Sequence, residues 1–132
     1  QPVMMRLQSD LVQHCLAALN QNLDGEKAQW DDRSAVGVVL AAEGYPASYG
    51  KGFPISGLDQ VLEAHQKIFH AGTAEKDGAA VTNGGRVLCA TALGGTVSEA
   101  QAEAYRVLHN IHWDNVYFRN DIAYRAIARE NG

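Results

Sequence analysis

From Ala35 the chain runs Ala35-Val36-Gly37-Val38-Val39-Leu40-Ala41-Ala42 without a polar side chain, until Gly44-Tyr45-Pro46 stops it. Such a run is far too short to cross a bilayer, which takes about 20 apolar residues in a helix. It suits a short strand buried on both faces. At 132 residues the chain has the size of one ordinary domain, able to bury roughly two thirds of its unfolded surface with no disulfide or metal to staple it.

The segments around that strand carry local signals. Met4, Leu7, Leu11, Cys15 and Leu19 recur at three- and four-residue steps, with Val12 and Leu16 beside them, and predict one amphipathic helix with Pro2 in its first turn. The turn formers from Asn20 to Gly25 end it and divide residues 1–22 from residues 23–132. A shorter strand is expected from Phe53 to Ser56. Lys67 to Thr73 and Ala79 to Thr82 read as a hairpin turning at Asp77-Gly78, and Arg86 to Leu93 as another strand after Asn83-Gly84-Gly85. Thr96-Val97-Ser98-Glu99 has the spacing of a capping box. The helix it starts should bury Val97, Ala104, Val107, Leu108 and Ile111, and end within Asn110 to Asn115. A last helix is expected from Asp121 to Arg129, capped by Asn120. A helix, then strands, then helices indicate an α+β domain around a small antiparallel sheet.

Composition narrows the chemistry. Apolar residues at 46% and charged residues at 20% fit a soluble globular chain. A net charge of −4 with no cluster of Lys or Arg argues against nucleic acid as a partner. Cys15 and Cys89 lie in apolar stretches without ligand spacing, so they read as buried free thiols in a reducing, cytoplasmic setting. His14 and His65 suggest no site, His70 reads as a core or rim histidine, and His109 with His112 fits a helix end better than a metal. Asp31-Asp32, and Glu99 with Glu103, read as solvated charge. Arg119, Asp121, Arg125 and Arg129 read as local ion pairs. Nucleophile elbow, Walker and dinucleotide fingerprints are all missing, so neither catalytic nor metal-binding residues are assigned.

Asn83-Gly84-Gly85-Arg86 is the most informative local feature. Two glycines let the backbone approach a ligand and turn its N–H groups outward, beside a guanidinium at a strand start, which suits phosphate or carboxylate. The plainer alternative is an ordinary hairpin turn with Arg86 solvated or paired to an acid.

Four segments, in order, resemble the C-terminal part of glycinamide ribonucleotide synthetases: Gly44-Tyr45-Pro46, Phe69-His70-Ala71-Gly72-Thr73, Thr82-Asn83-Gly84-Gly85-Arg86-Val87-Leu88 and Phe118-Arg119-Asn120-Asp121-Ile122-Ala123-Tyr124-Arg125-Ala126-Ile127. Gln1-Pro2 resembles the end of that family's Asp-Pro-Glu-Thr-Gln-Pro segment, and with the missing initial Met suggests a chain cut from something longer. The resemblance implies an ATP-grasp ligase of purine biosynthesis that joins phosphoribosylamine to glycine, using ATP and magnesium to activate the glycine carboxylate as an acyl phosphate. It places the nucleotide pocket and metal ligands upstream, in domains of the same polypeptide, so that this chain alone is expected to be inactive. It implies that residues 1–22 close the ATP-grasp unit and residues 23–132 form a C-terminal barrel-sandwich hybrid domain. It also matches Arg86, beside Gly84 and Gly85, to an arginine that holds a 5′-phosphate in related enzymes. Glu43 and Ala47-Ser48 depart from the family pattern, and the loop they flank is expected not to touch substrate. The rival from another class is a non-catalytic carrier-like or ligand-binding β module with Lys76 at a hairpin tip, although Glu75 and Asp77 do not give that lysine an apolar setting.

Overall fold

The computed structural model describes residues 1–130 and 132. Its centre is a four-stranded antiparallel sheet in the order β2-β5-β1-β6. The apolar run is β1 (Ser34–Ala42), paired along its length with β5 (Arg86–Gly94), so that Val36 faces Ala92 and Val38 faces Ala90. The register shifts between Leu40 and Ala41, which sets Ala41 opposite Arg86. On the other edge of β5 lies β2 (Gln66–His70), and the short β6 (Val116–Tyr117) pairs with the end of β1. A separate hairpin joins β3 (Thr73–Lys76) to β4 (Ala79–Thr82). Asp77 and Gly78, both with positive φ, make the tight turn that Asp-Gly favours.

One face of β1 is fully covered and the other in part, with Val39 left exposed. Helix α3 (Val97–Leu108) lays Ala100, Ala104, Val107 and Leu108 on Val36, Val38, Leu40 and Ala90. Full burial of each Leu or Val contributes about 1.5–3 kcal/mol, and these side chains form the core. The opposite face meets α1 (Pro2–Arg6) at Gly37, where a Cβ would stand 3.1 Å from Pro2 Cγ and 3.0 Å from Cys89 Sγ. The capping box forms: Glu99 N–H donates to Thr96 Oγ1 at 3.1 Å, and Thr96 N–H to Glu99 Oε2 at 3.3 Å. Glu130, at the end of α4 (Tyr124–Glu130), also accepts from Val97 N–H at 2.8 Å, joining the two helices. We predict that Thr96→Ala lowers unfolding free energy by about 1 kcal/mol, seen as a lower melting temperature, while Thr96→Ser stays near wild type.

The α+β class and a central antiparallel sheet are those expected, but Lys67 to Thr73 does not form one arm of the hairpin: the chain bends at Ala71-Gly72, so that β2 pairs with β5 and only β3 with β4. Closure into a barrel is not seen among the described residues, where the larger sheet ends on β2 and β6. The single N-terminal helix is in fact two, α1 and α2 (Leu11–Leu19), because Leu7 leaves the helix to bridge Trp30, and Gln8 N–H donates to Gln29 O at 2.9 Å. Asp10 then caps α2 by accepting from Val12 N–H at 2.8 Å. Phe53 to Ser56 makes only isolated bridges, since Pro54 has no N–H to offer a ladder. Asn120 caps nothing: Tyr105 OH donates to Arg119 O at 2.5 Å and accepts from Ile122 N–H at 3.2 Å, holding this segment in a turn until α4 begins at Tyr124. Cys89 is buried as expected, but Cys15 is exposed on α2. Among the described residues no helix is long and apolar enough to cross a membrane.

Candidate functional site

The Asn83–Arg86 turn is built by close backbone packing. Gly72 lies against Gly84 so tightly that a Cβ on Gly84 would stand 2.8 Å from Gly72 Cα. Asn83 N–H donates to Gly72 O at 2.7 Å, and Gly72 N–H returns to Arg86 O at 2.9 Å. On the other side Ala42 N–H donates to Gly85 O at 2.8 Å. A Cβ on Gly85 would stand 2.0 Å from Tyr45 Cδ2, so only glycine admits that ring. Neither Gly84 nor Gly85 adopts a positive φ; the two glycines are required by proximity. Among the described residues, their N–H groups donate to no protein acceptor.

Arg86 follows at the start of β5, exposed. It lines a cleft of about 320 Å³ with Gln1, Val39, Ala71, Leu88 and Cys89. Among the described residues no carboxylate lies within ion-pair distance of its guanidinium, whereas Arg33, Arg106 and Arg119 each have one. A permanent cation without a carboxylate partner, in a cleft it shares with Gln1 and four apolar residues, is suited to an anion brought from outside.

Several other charged groups are held by one another. The Arg33 guanidinium, hydrogen-bonded to Asp31, keeps that carboxyl well below the usual carboxylate range. Arg119 does the same, more weakly, for Asp121. Arg125 instead lies over the Tyr124 ring, 5.5 Å from its centroid. Glu103 is not free surface charge: Arg106 above all, then Gln66 and His65, donate to it and lower its pKa against the opposing effect of burial. His65 is therefore not isolated; Glu103 and Glu63 flank it at 3.3 and 3.7 Å. Asp31 and Glu99 likewise have partners, in Arg33 and the capping box.

Other histidines have local partners. His14 contacts Ser9 Oγ at 2.7 Å and His70 contacts Thr73 Oγ1 at 3.0 Å. His109 occupies the C-cap of α3, the helix-end position expected of it, against Tyr105 and Phe118. His112 pairs through its backbone with Ser56. Among the described residues no three His, Cys, Asp or Glu side chains gather where a metal could sit. Lys76 ends β3 at the hairpin turn.

A wider cleft, about 650 Å³, is lined by Pro2, Val3, Arg6, Trp30, Ala35 and Val97 among others. Beside it Val3, Met4 and Trp30 are exposed, as are Leu11, Val12, Leu16 and Leu19 of α2. The sequence singles out Arg86 and its glycines but not Tyr45, whose ring forms one wall of the turn.

A family model described as phosphoribosylglycinamide synthetase, C domain, matches residues 35–125. The chain is 61% identical over 130 residues to a phosphoribosylamine–glycine ligase of Vibrio vulnificus, covering 98% of this chain and 30% of that protein. It is 57% identical over 132 residues to the Pseudomonas putida ligase of the same name, covering 100% of this chain and 31% of that protein. The crystal structure of phosphoribosylamine–glycine ligase from Thermotoga maritima matches with a TM-score of 0.64 at 38% identity, over 81% of this chain and 27% of that one. The chain thus spans about 30% of the length of the curated relatives it matches. Matched from its central strand into the first turn of α4, this chain belongs to the phosphoribosylglycinamide synthetase C-domain family.

Proposed function

We propose that this chain is the C-terminal domain of a cytoplasmic ligase of purine biosynthesis, which joins phosphoribosylamine to glycine with hydrolysis of ATP. The observation that carries this is the identity of 57–61% to phosphoribosylamine–glycine ligases over 98–100% of the chain. ATP and magnesium supply phosphoryl activation of the glycine carboxylate. Their ligands belong to the upstream domains in this reading. Residues 1–22 close the upstream ATP-grasp unit and residues 23–132 form the C-terminal domain. The exposed apolar side chains of α1 and α2 then pack on that unit, consistent with so many large apolar groups left uncovered here.

Within this domain, Arg86 and the N–H groups of Gly84 and Gly85 hold the 5′-phosphate of phosphoribosylamine. The unpaired guanidinium and the unused N–H groups support that assignment. Gln1 lines the same cleft.

The test is to compare the full-length ligase with residues 1–132 alone. The full protein is expected to form glycinamide ribonucleotide, and the isolated chain neither to form it nor to bind ATP, because phosphoryl transfer needs metal ions held across the phosphates. Magnesium-dependent binding of ATP to the isolated chain in calorimetry would overturn this division of labour.

A further inference from the structure

We propose that Tyr45 is a positioning residue of the Arg86 site, its ring fixing the Asn83–Arg86 turn by resting on the space where Gly85 lacks a side chain. The inference deepens the assignment of Arg86 to a substrate phosphate and rests on it. The turn is gripped from two sides. Gly72 holds Gly84 through backbone alone, and Tyr45 holds Gly85 through its ring. One residue ties the second grip together: Ala42 N–H donates to Gly85 O at 2.8 Å, while Ala42 O accepts from Tyr45 N–H at 3.2 Å. The loop carrying Tyr45 is itself closed, with Ala47 N–H donating to Gly44 O at 2.8 Å. Gly44 has φ +87°, and a Cβ there would stand 2.3 Å from Ser48 O. Tyr49 meets the Tyr45 ring edge-on, with centroids 6.1 Å apart, and itself packs against the core.

The ring's remaining surface is exposed, with 40% of the residue accessible. Its hydroxyl makes no hydrogen bond among the described residues. What Tyr45 contributes is therefore ring contact with Gly85, one residue before Arg86. An exposed arginine gives up rotamer freedom when it takes hold of a phosphate, and a turn already fixed in place keeps that cost from growing. Without the ring, the Gly85 side of the turn keeps only its backbone bond from Ala42, and the guanidinium is held less firmly in place for the phosphate. Tyr45 acts through Arg86 and touches no substrate.

Steady-state kinetics on the full-length ligase test this, with Tyr45→Ala, Tyr45→Phe, Arg86→Ala and the double variant Tyr45→Ala/Arg86→Ala. Tyr45→Ala is expected to raise KM for phosphoribosylamine about tenfold and to leave kcat and the KM values for ATP and glycine near wild type. Tyr45→Phe keeps the ring and stays near wild type. The double variant is no worse than Arg86→Ala, because Tyr45 has no route to the substrate once Arg86 is gone. If Arg86→Ala itself leaves KM unchanged, the phosphate assignment fails and this inference with it. If Arg86→Ala raises KM but Tyr45→Ala does not, or the two effects multiply, the role of Tyr45 alone is overturned. Loss in Tyr45→Phe equal to that in Tyr45→Ala overturns it too, by assigning the effect to the hydroxyl. Should Tyr45→Ala not fold, Tyr45→Leu serves instead: it keeps an apolar side chain but not the flat ring, the same rise in KM is expected, and an unchanged KM overturns the proposal.

Discussion

Arg86→Ala in the full-length ligase is expected to raise KM for phosphoribosylamine by about ten- to a hundredfold, the equivalent of one charge-assisted pair worth roughly 1.5–3 kcal/mol. The KM values for ATP and glycine should change much less. Arg86→Lys should recover only part of the loss, because an ammonium keeps the attraction but not the two parallel hydrogen bonds of a guanidinium. The expectation follows from what Arg86 lacks. Arg33, Arg106 and Arg119 are each occupied by a carboxylate of this domain, and Arg86, among the described residues, is not. A guanidinium that served only the fold would show its loss in thermal unfolding instead. A lower melting temperature with an unchanged KM would assign Arg86 to the fold.

Gly57→Ala should cause the largest loss of stability among single substitutions of loop residues. Gly57 has φ +81°, and a Cβ there would stand 1.8 Å from Asn110 O and 2.7 Å from Asn110 C, both backbone atoms. No side-chain rotation relieves that contact. Neighbouring bonds fix the approach: Ser56 N–H donates to His112 O at 2.9 Å, His112 N–H returns to Ser56 O at 3.2 Å, and Gln60 Nε2 donates to Gly57 O at 2.8 Å. Alanine must therefore break the junction between the loop after β1 and the end of α3, at a cost of about 3 kcal/mol or more. Gly52 is the control. Its φ is +85°, but nothing lies within 4 Å of the Cβ position. Gly52→Ala should cost only the left-handed backbone, about 1–2 kcal/mol. Urea unfolding of both variants separates the terms, and equal losses would show that the Asn110 contact is not what Gly57 is for.

What the sequence discloses here is what is encoded within a few neighbouring residues. An unbroken apolar run identified β1, Asp77-Gly78 the hairpin, and Thr96 with Glu99 the start of α3. In each case the physical cause and the signal lie in the same segment. Periodicity misled at the N-terminus, since Met4, Leu7 and Leu11 keep helical spacing while Leu7 is drawn into a bridge with Trp30 that local propensity does not encode. Asn120 failed as a cap for a similar reason, because Tyr105, on a preceding helix, holds Arg119 and Ile122. The His65–Glu103 contact and the Glu130 bond to Val97 also join residues far apart in sequence.

The candidate site shows the same division. Asn83-Gly84-Gly85-Arg86 was legible as a glycine-rich turn beside a cation. The reason for its glycines was not, because their partners are Gly72 and Tyr45 and only the folded sheet brings these together. Tyr45 itself was visible only as part of the signal that stops β1.

The most direct measurement is the affinity of the full-length ligase for glycinamide ribonucleotide and for the same molecule without its 5′-phosphate, each titrated against wild type and Arg86→Ala. Removing the guanidinium should weaken binding by about ten- to a hundredfold, removing the phosphate by at least as much, and both together by no more than removing the phosphate alone. Two losses that multiply would place the phosphate elsewhere and contradict the assignment of Arg86.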